Sequence, residues 1–289
     1  AIINPPISGH WARGTGTYSN QLLEGIRTFT DIYAKLCNIY DDLKSFDIVH
    51  YPYFDPFFLT LHLIKRKPTI VTVHDLIPLR YPDEFKTGLR GAIKWKIQRF
   101  SLKRVEALIT DSVVSRSDII TFTNIKPEKI HVVYLASNKI FKKITDQSLL
   151  SQTGIKLNLP TRFIFYVGDV NFNKNIINLL KAFSLLIKKD PNIRLVMAGK
   201  GFINDSHQLQ EVFHHMRDLE LENKITLLGR VEDADLVALY NLAELYVQPS
   251  IAEGFGLPVL EAMSCECPVV ASSSTSLNEI VGNAGHYFN

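Results

Sequence analysis

Cysteine is scarce in this chain. Cys37, Cys265 and Cys267 are the only three in 289 residues, an odd count too small for a disulfide framework. The Cys265-x-Cys267 pair lacks the second half of a zinc site, so a reducing, cytoplasmic compartment is the expectation. An excess of one charge is also missing: 32 Lys and Arg stand against 29 Asp and Glu, a net charge of +3. That is too slight to announce a nucleic-acid binder. No apolar run approaches the ~20 residues that cross a bilayer, Phe57 to Ile64 being among the longest. Nor is there a secretion signal, because Ala1-Ile2-Ile3 runs into Pro5-Pro6 with no basic start and no cleavage pattern. The start lacks an initiator Met and the chain ends at Asn289 soon after a strand, so a piece of a longer product, incomplete at its C-terminus, is expected.

What is present is a globular composition, 46% hydrophobic and 21% charged, which excludes disordered, collagen-like and coiled-coil chains. The length exceeds the usual size of one core and favours two domains. Short apolar runs at Ile48 to His50, Thr69 to His74, Ala107 to Thr110 and Ile130 to Tyr134 read as strands. A second series lies at Phe163 to Val167, Arg194 to Ala198, Ile225 to Leu228, Leu245 to Val247 and Val269 to Ala271. Helical patterns separate them, at Tyr18 to Phe29, Leu89 to Val105, Ile176 to Lys189, His207 to Leu219, Ala234 to Ala243 and Val259 to Cys265. Continuous apolar strands alternating with helices predict parallel sheets built from βαβ units. The stretch from Phe141 to Pro160 breaks the rhythm, which places a boundary near 150. Two α/β domains, 1–150 and 151–289, with a cleft between them are predicted.

The densest chemical signal is Glu253-Gly-Phe-Gly-Leu-Pro-Val-Leu-Glu261. Pro258 suits the first position of a helix, where its missing N–H costs nothing. Gly254 and Gly256 allow a tight turn and close approach to a ligand. Free amides near Gly256 and Leu257 would sit at a helix N-terminus, which favours a phosphate. Glu261, in the first turn, could accept two hydrogen bonds from a ribose diol. A plain strand-to-helix turn with a capping acid is the structural alternative.

This Glu-x7-Glu pattern with Phe255-Gly-Leu-Pro inside it resembles the retaining glycosyltransferases of family 4. Gly229-Arg230-Val231, Leu239-Tyr240, Pro249-Ser250 and Glu261-Ala-Met-Ser-Cys-Glu-Cys-Pro-Val-Val-Ala271 are similar to that family's C-terminal domain. Gly14-Thr-Gly16-Thr-Tyr18 resembles its N-terminal glycine loop. His74-Asp-Leu-Ile-Pro-Leu-Arg80-Tyr-Pro-Asp-Glu-Phe85 resembles a mannosyltransferase-like subgroup of bacterial polysaccharide assembly. The resemblance implies the GT-B architecture, two Rossmann-like parallel-sheet domains facing across a cleft. It implies a donor-binding second domain, with Arg230, Val231, Phe255, Gly256, Leu257 and Glu261 on the nucleotide sugar and Glu253 facing the sugar. In the acceptor-side first domain it places Gly14 and Gly16 at the donor, and gives His74 a hydrogen bond to the sugar and stabilisation of oxocarbenium charge.

The family usually carries an Arg-Lys pair after the first strand of the second domain to neutralise the diphosphate. Here Lys174 is present but Asn173 stands where Arg is expected, so leaving-group stabilisation leans on Lys174, the helix N-terminus and Arg230. Asp75 could orient the imidazole of His74 or cap the next segment. Ser112 shapes the acceptor side or caps the following helix. Gly199-Lys200-Gly201 follows a strand and would line the nucleotide pocket, and Trp11 and Arg13 flank the glycine loop. The helix with Arg90, Lys94, Lys96, Arg99, Lys103 and Arg104 reads as basic and amphipathic. Its apolar members Leu89, Ile93, Ile97, Phe100 and Val105 form either a buried stripe or a membrane-resting face.

Together these features predict a retaining, metal-independent hexosyltransferase with no cofactor. Its donor is a nucleotide-diphosphate sugar, GDP-mannose before a UDP-hexose, and its acceptor a hydroxyl of a glycan or lipid-linked glycan. Nucleic acid is not an expected partner, and peripheral contact with the inner face of the membrane through the helix near Lys94 to Arg104 is compatible with this reading. The alternatives are a GT-B-shaped nucleotide-sugar epimerase and a catalytically weak nucleotide-sugar or glycan-binding regulatory partner.

Overall fold

A computed structural model describes residues 1–4, 14–29, 31–203 and 205–289. Trp11 and Arg13 lie outside the described residues. The chain divides into two compact units, Ala1–Tyr134 and Leu135–Asn289. The first contains β1 (Ile2–Ile3), α1 (Gly14–Ile26), β2 (Leu36–Cys37), β3 (Val49–Tyr51), β4 (Thr69–Thr72), α2 (Ile77–Arg80), α3 (Gly88–Leu102), β5 (Ala107–Thr110), α4 (Val113–Thr123) and β6 (Ile130–Val132). The second contains α5 (Gln147–Lys156), β7 (Phe163–Val167), α6 (Ile176–Leu186), β8 (Arg194–Ala198), α7 (His207–Asp218), β9 (Ile225–Gly229), α8 (Asp233–Leu242), β10 (Leu245–Gln248), α9 (Leu257–Ser264), β11 (Val269–Ser272), α10 (Leu277–Val281) and β12 (His286–Phe288).

Each unit is built on one six-stranded sheet, ordered β2-β1-β3-β4-β5-β6 in the first and β12-β11-β10-β7-β8-β9 in the second. All pairings are parallel. Parallel strands need cover on both faces, which is why their sequences run apolar without alternation. Phe165, Leu195, Val196 and Met197 are fully buried, divided between two cores on opposite faces of the second sheet. The first sheet buries Val71, Val73 and Leu108. The chain reverses its direction of winding between β1 and β3, and again between β7 and β10. Such switch points open a crevice at the carboxyl ends of the strands, where open α/β sheets bind ligands.

Helix starts follow local chemistry. The Ser112 hydroxyl accepts a hydrogen bond from the Ser115 amide at 3.0 Å, so it caps α4. Asn124, in the left-handed region at φ 56°, ends that helix. Residue 150, the expected boundary, falls inside α5, which belongs to the second unit. Asp146 caps α5 by accepting from the Ser148 and Leu149 amides. The helix is then held to α8 by Lys156 and Asp235, 2.8 Å apart. Phe141, ahead of it, packs edge-on against Tyr240.

α3 departs from expectation in how it packs. Of the five apolar residues named above, Leu89, Ile93 and Phe100 are more than half exposed, whereas Ile97 is partly buried and Val105 buried. Gly91, Gln98, Ser101 and Leu102 face inward instead. Two hydrogen bonds explain this: the Gln98 amide donates to the Phe58 carbonyl, and the Ser101 hydroxyl donates to the His62 carbonyl at 2.7 Å. The three cysteines are buried and free. No helix among the described residues is long and apolar enough to cross a membrane.

Candidate active site

Two clusters of the expected residues stand at the carboxyl edges of the two sheets. In the first unit His74 follows β4. Its Nδ1 lies 2.6 Å from Asp111 Oδ2, and its Nε2 lies 3.1 Å from the Pro52 carbonyl oxygen. A carbonyl and a carboxylate only accept, so both ring nitrogens donate and the ring is held as an imidazolium. Burial disfavours the charge, but the Asp111 hydrogen bond and charge, the Asp75 charge and the Pro52 carbonyl outweigh it and raise the pKa above the ordinary histidine value. Tyr18 meets the ring edge-on at 4.9 Å between centroids. Thr72 Oγ1 lies 2.8 Å from His50 Nε2 and 3.3 Å from the Tyr18 hydroxyl. His50 moves the other way from His74, down to about 4, through burial and the neighbouring His74 charge.

The residue that orients His74 is therefore Asp111, at the end of the next strand. Asp75 takes the capping role, accepting from the Ile77 amide at 3.0 Å. Asp111 is 2% exposed, and its Oδ1 has no hydrogen-bond partner among the described residues. Gly14 and Gly16 fall in the first turn of α1, which begins four residues ahead of the helix expected from Tyr18.

In the second unit β7 and β10 are neighbours, and the turns after them are fastened together. The Ile251 amide donates to the Asn173 carbonyl at 2.8 Å. The Asn173 and Asn175 side-chain amides donate to the Ala252 and Pro249 carbonyls. Asn173 is thus buried as a fastener rather than turned toward a ligand. Lys174 reaches Glu253, with Nζ 2.7 Å from Oε1 and 3.0 Å from Oε2. Oε1 also accepts from the Ser250 hydroxyl at 2.6 Å and from the Gln248 amide at 3.0 Å. The Gln248 carbonyl oxygen in turn accepts from the Tyr246 hydroxyl. A polar relay therefore runs up β10 and ends on one carboxylate. The Glu253 side chain is 11% exposed and the Lys174 side chain 17%.

α9 begins at Leu257, so Pro258 is its second residue and Glu261 lies in the second turn, not the first. Gly256 precedes the helix at φ 106°, where a Cβ would come within 2.7 Å of Leu277 Cδ2. The Gly256 and Leu257 amides make no hydrogen bond among the described residues, since the first helical bonds come from Val259 and Leu260 to the Gly256 carbonyl. Phe255 is buried, and its carbonyl accepts from the Ser276 hydroxyl at 2.9 Å. The Tyr240 hydroxyl donates to Glu261 Oε2 at 3.0 Å. Burial nevertheless pushes Glu261 up to about 7, with Asp233 adding to the rise and Tyr240 opposing it. Arg230 is exposed at the end of β9, whereas Val231 packs against the core. Gly199 keeps its place because a Cβ there would lie 1.8 Å from the Gly168 carbonyl oxygen. No group of three or more His, Cys, Asp or Glu among the described residues is placed to hold a metal ion.

Asp111 and the trio Tyr246, Gln248 and Ser250 were not singled out as site residues from the sequence. The alternate spacing of the trio along β10 was the available signal for them. Asp111 closes a strand 37 residues beyond His74, and only folding pairs the two.

Known proteins resemble this chain in both units. The family Glycosyl transferases group 1 matches residues 152–288, and Glycosyltransferase Family 4 matches residues 15–136. O-antigen chain mannosyltransferase B of Escherichia coli is 35% identical over 241 residues, which are 83% of this chain and 61% of the relative. A serotype-specific mannosyltransferase WbdA of Escherichia coli is 31% identical over 226 residues, 76% of this chain and 27% of the relative. The chain thus spans only part of the length of these curated relatives. The crystal structure of Anabaena Alr3699/HepE in complex with UDP and glucose matches with a TM-score of 0.73 at 18% identity, over 100% of this chain and 84% of that one. The fold is that of the GT-B glycosyltransferases. With both family domains in sequence, each on its own parallel sheet, the chain belongs to the group 1, family 4 glycosyltransferases.

Proposed function

We propose that this chain transfers a hexose, with retention of configuration, from a nucleotide-diphosphate sugar to a hydroxyl of a glycan or lipid-linked glycan. The observation that carries the reading is the second unit's switch point, where the Gly256 and Leu257 amides, unbonded among the described residues, open a helix beside the Lys174–Glu253 pair. Aligned peptide dipoles and free N–H groups suit a diphosphate. Glu261 receives the ribose diol, Glu253 the sugar hydroxyls, and Arg230 with Val231 the base side. His74 exchanges the Pro52 carbonyl for a sugar oxygen as acceptor of its Nε2–H. Its positive charge stabilises the negative charge building on the departing phosphate rather than the oxocarbenium charge first expected of it, which an imidazolium opposes. Gly14 and Gly16 supply main-chain contacts to the donor.

Glu253 Oε1 already accepts from three donors, which makes it a positioning group and a poor covalent nucleophile. The reading is therefore a front-face displacement. The bond from the anomeric carbon to the phosphate oxygen breaks, the acceptor oxygen attacks from the same side, and its proton passes to the departing phosphate. Stabilising that phosphate with α9, Lys174 and Arg230 supplies the catalysis without a divalent ion. Mannose is the favoured sugar, because the named relatives are mannosyltransferases. GDP-mannose is then the donor to try first and a UDP-hexose second, the latter supported by the UDP and glucose bound to the structural neighbour. A lipid-linked acceptor brings with it a peripheral contact of the first unit with the membrane.

The buried Asn173 favours one second reading, a nucleotide-sugar binder with weak turnover, because the diphosphate lacks its usual arginine there. A thermal-shift panel of GDP-mannose, UDP-glucose and UDP-N-acetylglucosamine tests binding, since a preferred donor raises apparent stability by mass action. Nucleotide release from the bound donor separates enzyme from binder. No shift with any of the three overturns the donor reading.

A further inference from the structure

We propose that the Lys65 amine is an acylation site, which takes an acyl group from an acyl phosphate in a cleft at the amino end of the first sheet. Val49 and Thr69, the first residues of β3 and β4, line this cleft of about 790 Å³ together with Leu43, Tyr51 and Lys65. His74 follows the opposite end of β4, so the cleft stands apart from the candidate active site. The proposal does not depend on the transferase reading.

The geometry around the nitrogen is that of a free amine. Lys65 is partly buried, and its Nζ donates to the His62 carbonyl and, at 2.6 Å, to the Ser101 hydroxyl oxygen. The Ser101 hydroxyl donates to the same carbonyl at 2.7 Å, which closes a triangle. Two acceptors use both N–H bonds of a neutral amine and leave its lone pair for an electrophile, whereas an ammonium would have a third N–H to place. Lys156 and Lys174 each face a carboxylate, but Lys65 makes no ion pair among the described residues. The Tyr51 ring, its centre 5.9 Å from Nζ, stands at the outer limit of a cation–π contact and walls the cleft.

The electrostatic surroundings act in the same direction. Burial, with the Arg104 charge adding to it, lowers the Lys65 pKa to about 8. Burial and the Lys65 charge lower His62 as well, so that ring adds no cation at neutral pH. The other charged groups of the cleft are Lys44, Arg66 and Lys67 against Asp41 and Asp42. Asp42 lies 3.6 Å from Lys44, and Asp41 accepts from the Asn38 amide at 2.8 Å. Arg66 and Lys67 are left to draw in a phosphate dianion. In the reaction the Lys65 nitrogen bonds to the acyl carbon, the bond from that carbon to the phosphate oxygen breaks, and inorganic phosphate departs with the electron pair. The nitrogen gives one proton to solvent, and a neutral amide replaces the amine.

The test treats the whole chain with acetyl phosphate and follows acetylation of single lysines by mass spectrometry. Lys188 and Lys189, exposed in the second unit, are the comparators. At pH 7.5 about one Lys65 in four is a free amine, against about one in a thousand for a lysine in water. The lower basicity costs each amine about twenty-fold in nucleophilicity at a Brønsted slope of about 0.5. Lys65 should therefore be acetylated about ten times faster than Lys188 or Lys189, and its rate should level off above about pH 8. In denaturing urea the preference should vanish, because the triangle and the cleft are gone. Acetylation of Lys65 no faster than that of the comparators overturns the proposal, as does a rate that keeps climbing well above pH 8. A preference that survives urea traces to the flanking sequence and overturns it too. Labelling of Lys65 by acetyl-coenzyme A but not by acetyl phosphate overturns the assignment of the acyl donor.

Discussion

Asp111 and His74 are joined by a 2.6 Å contact between carboxylate and imidazole, and the far nitrogen of the same ring donates to the Pro52 carbonyl. The ring is positive because every partner it has is an acceptor. Its folded pKa lies above the value in the unfolded chain, so its stabilising contribution is complete below about 6.5 and is lost as pH rises through the folded value. Asp111→Asn should bring the His74 midpoint down in an NMR titration of the ring. It should also lower turnover more than it changes donor affinity. An unchanged midpoint in Asp111→Asn means the pair does not set the charge.

His50 tests the opposite sign. It is held neutral down to about 4 by burial, while the unfolded chain takes up a proton near 6.5. Stability should therefore fall as pH drops from 6.5 toward 4, by about 3 kcal/mol from this residue. Glu261 acts in the reverse sense over much of the same window, because its carboxyl stays protonated in the fold up to about 7. The two slopes oppose, so His50 is read as the difference between the native chain and His50→Gln. Urea titrations of both at pH 4.5 and 7 measure it, and equal losses in the two would refute the assignment.

On the proposed reading, Glu261 also sets a pH dependence for the donor. A diol needs the carboxylate, so nucleotide affinity should climb as pH rises to about 7 and then level off. Below that point the loss is about tenfold per pH unit. Glu261→Gln should bind weakly at every pH, and Tyr240→Phe should move the midpoint upward by removing the one hydrogen bond that favours the ion. Calorimetry between pH 5.5 and 8 separates these outcomes.

Lys174 and Glu253 are half of a double-mutant cycle that the structure supplies. Each single removal leaves a poorly solvated charge, so Lys174→Met and Glu253→Gln should each cost about 2–4 kcal/mol. The double variant should cost less than their sum by about 1–3 kcal/mol. Strict additivity in urea unfolding would show that the pair is not formed in solution.

Gly256→Ala and Gly199→Ala differ in kind. At Gly256 the added methyl meets the tip of a leucine, which can move, leaving mainly the cost of φ 106°, about 1–3 kcal/mol. At Gly199 it meets the Gly168 carbonyl, which cannot move without parting β7 from β8. Gly199→Ala should be the worse of the two and should fail to accumulate as folded protein on expression. A cooperative unfolding transition for both at similar denaturant would contradict this ranking.

The parts of the molecule legible in the sequence are those whose cause is local. β5, β7 and β8 fall at their expected bounds because an uninterrupted apolar run with a turn at each end has few other uses. β1, β2 and β12 were not anticipated, being two or three residues long and defined by a neighbour's ladder rather than by their own composition. α5 was passed over as a linker, although Asp146 ahead of Gln147 was a usable capping signal. The sequence leaves the apolar residues of α3 as either a buried stripe or an outward face, because nothing near Gln98 and Ser101 announces that the carbonyls of Phe58 and His62 will claim them. In the same way Asp75, the neighbour in sequence, was offered for His74 where the neighbour in space is Asp111. The Glu-x7-Glu signal brackets the helix start, with Glu253 ahead of it and Glu261 in the second turn, and the helix begins one residue earlier than Pro258 suggests.

The turns after β7 and β10 are laced through Asn173, whose amide and carbonyl are both spent on residues 251 and 252. A guanidinium cannot be accommodated at that position without unlacing them. Asn173→Arg, which installs the arginine that the family resemblance leads one to expect, should therefore loosen the rim that carries Lys174 and Glu253. At the position where a diphosphate-binding charge is expected, this chain places a tie between two turns.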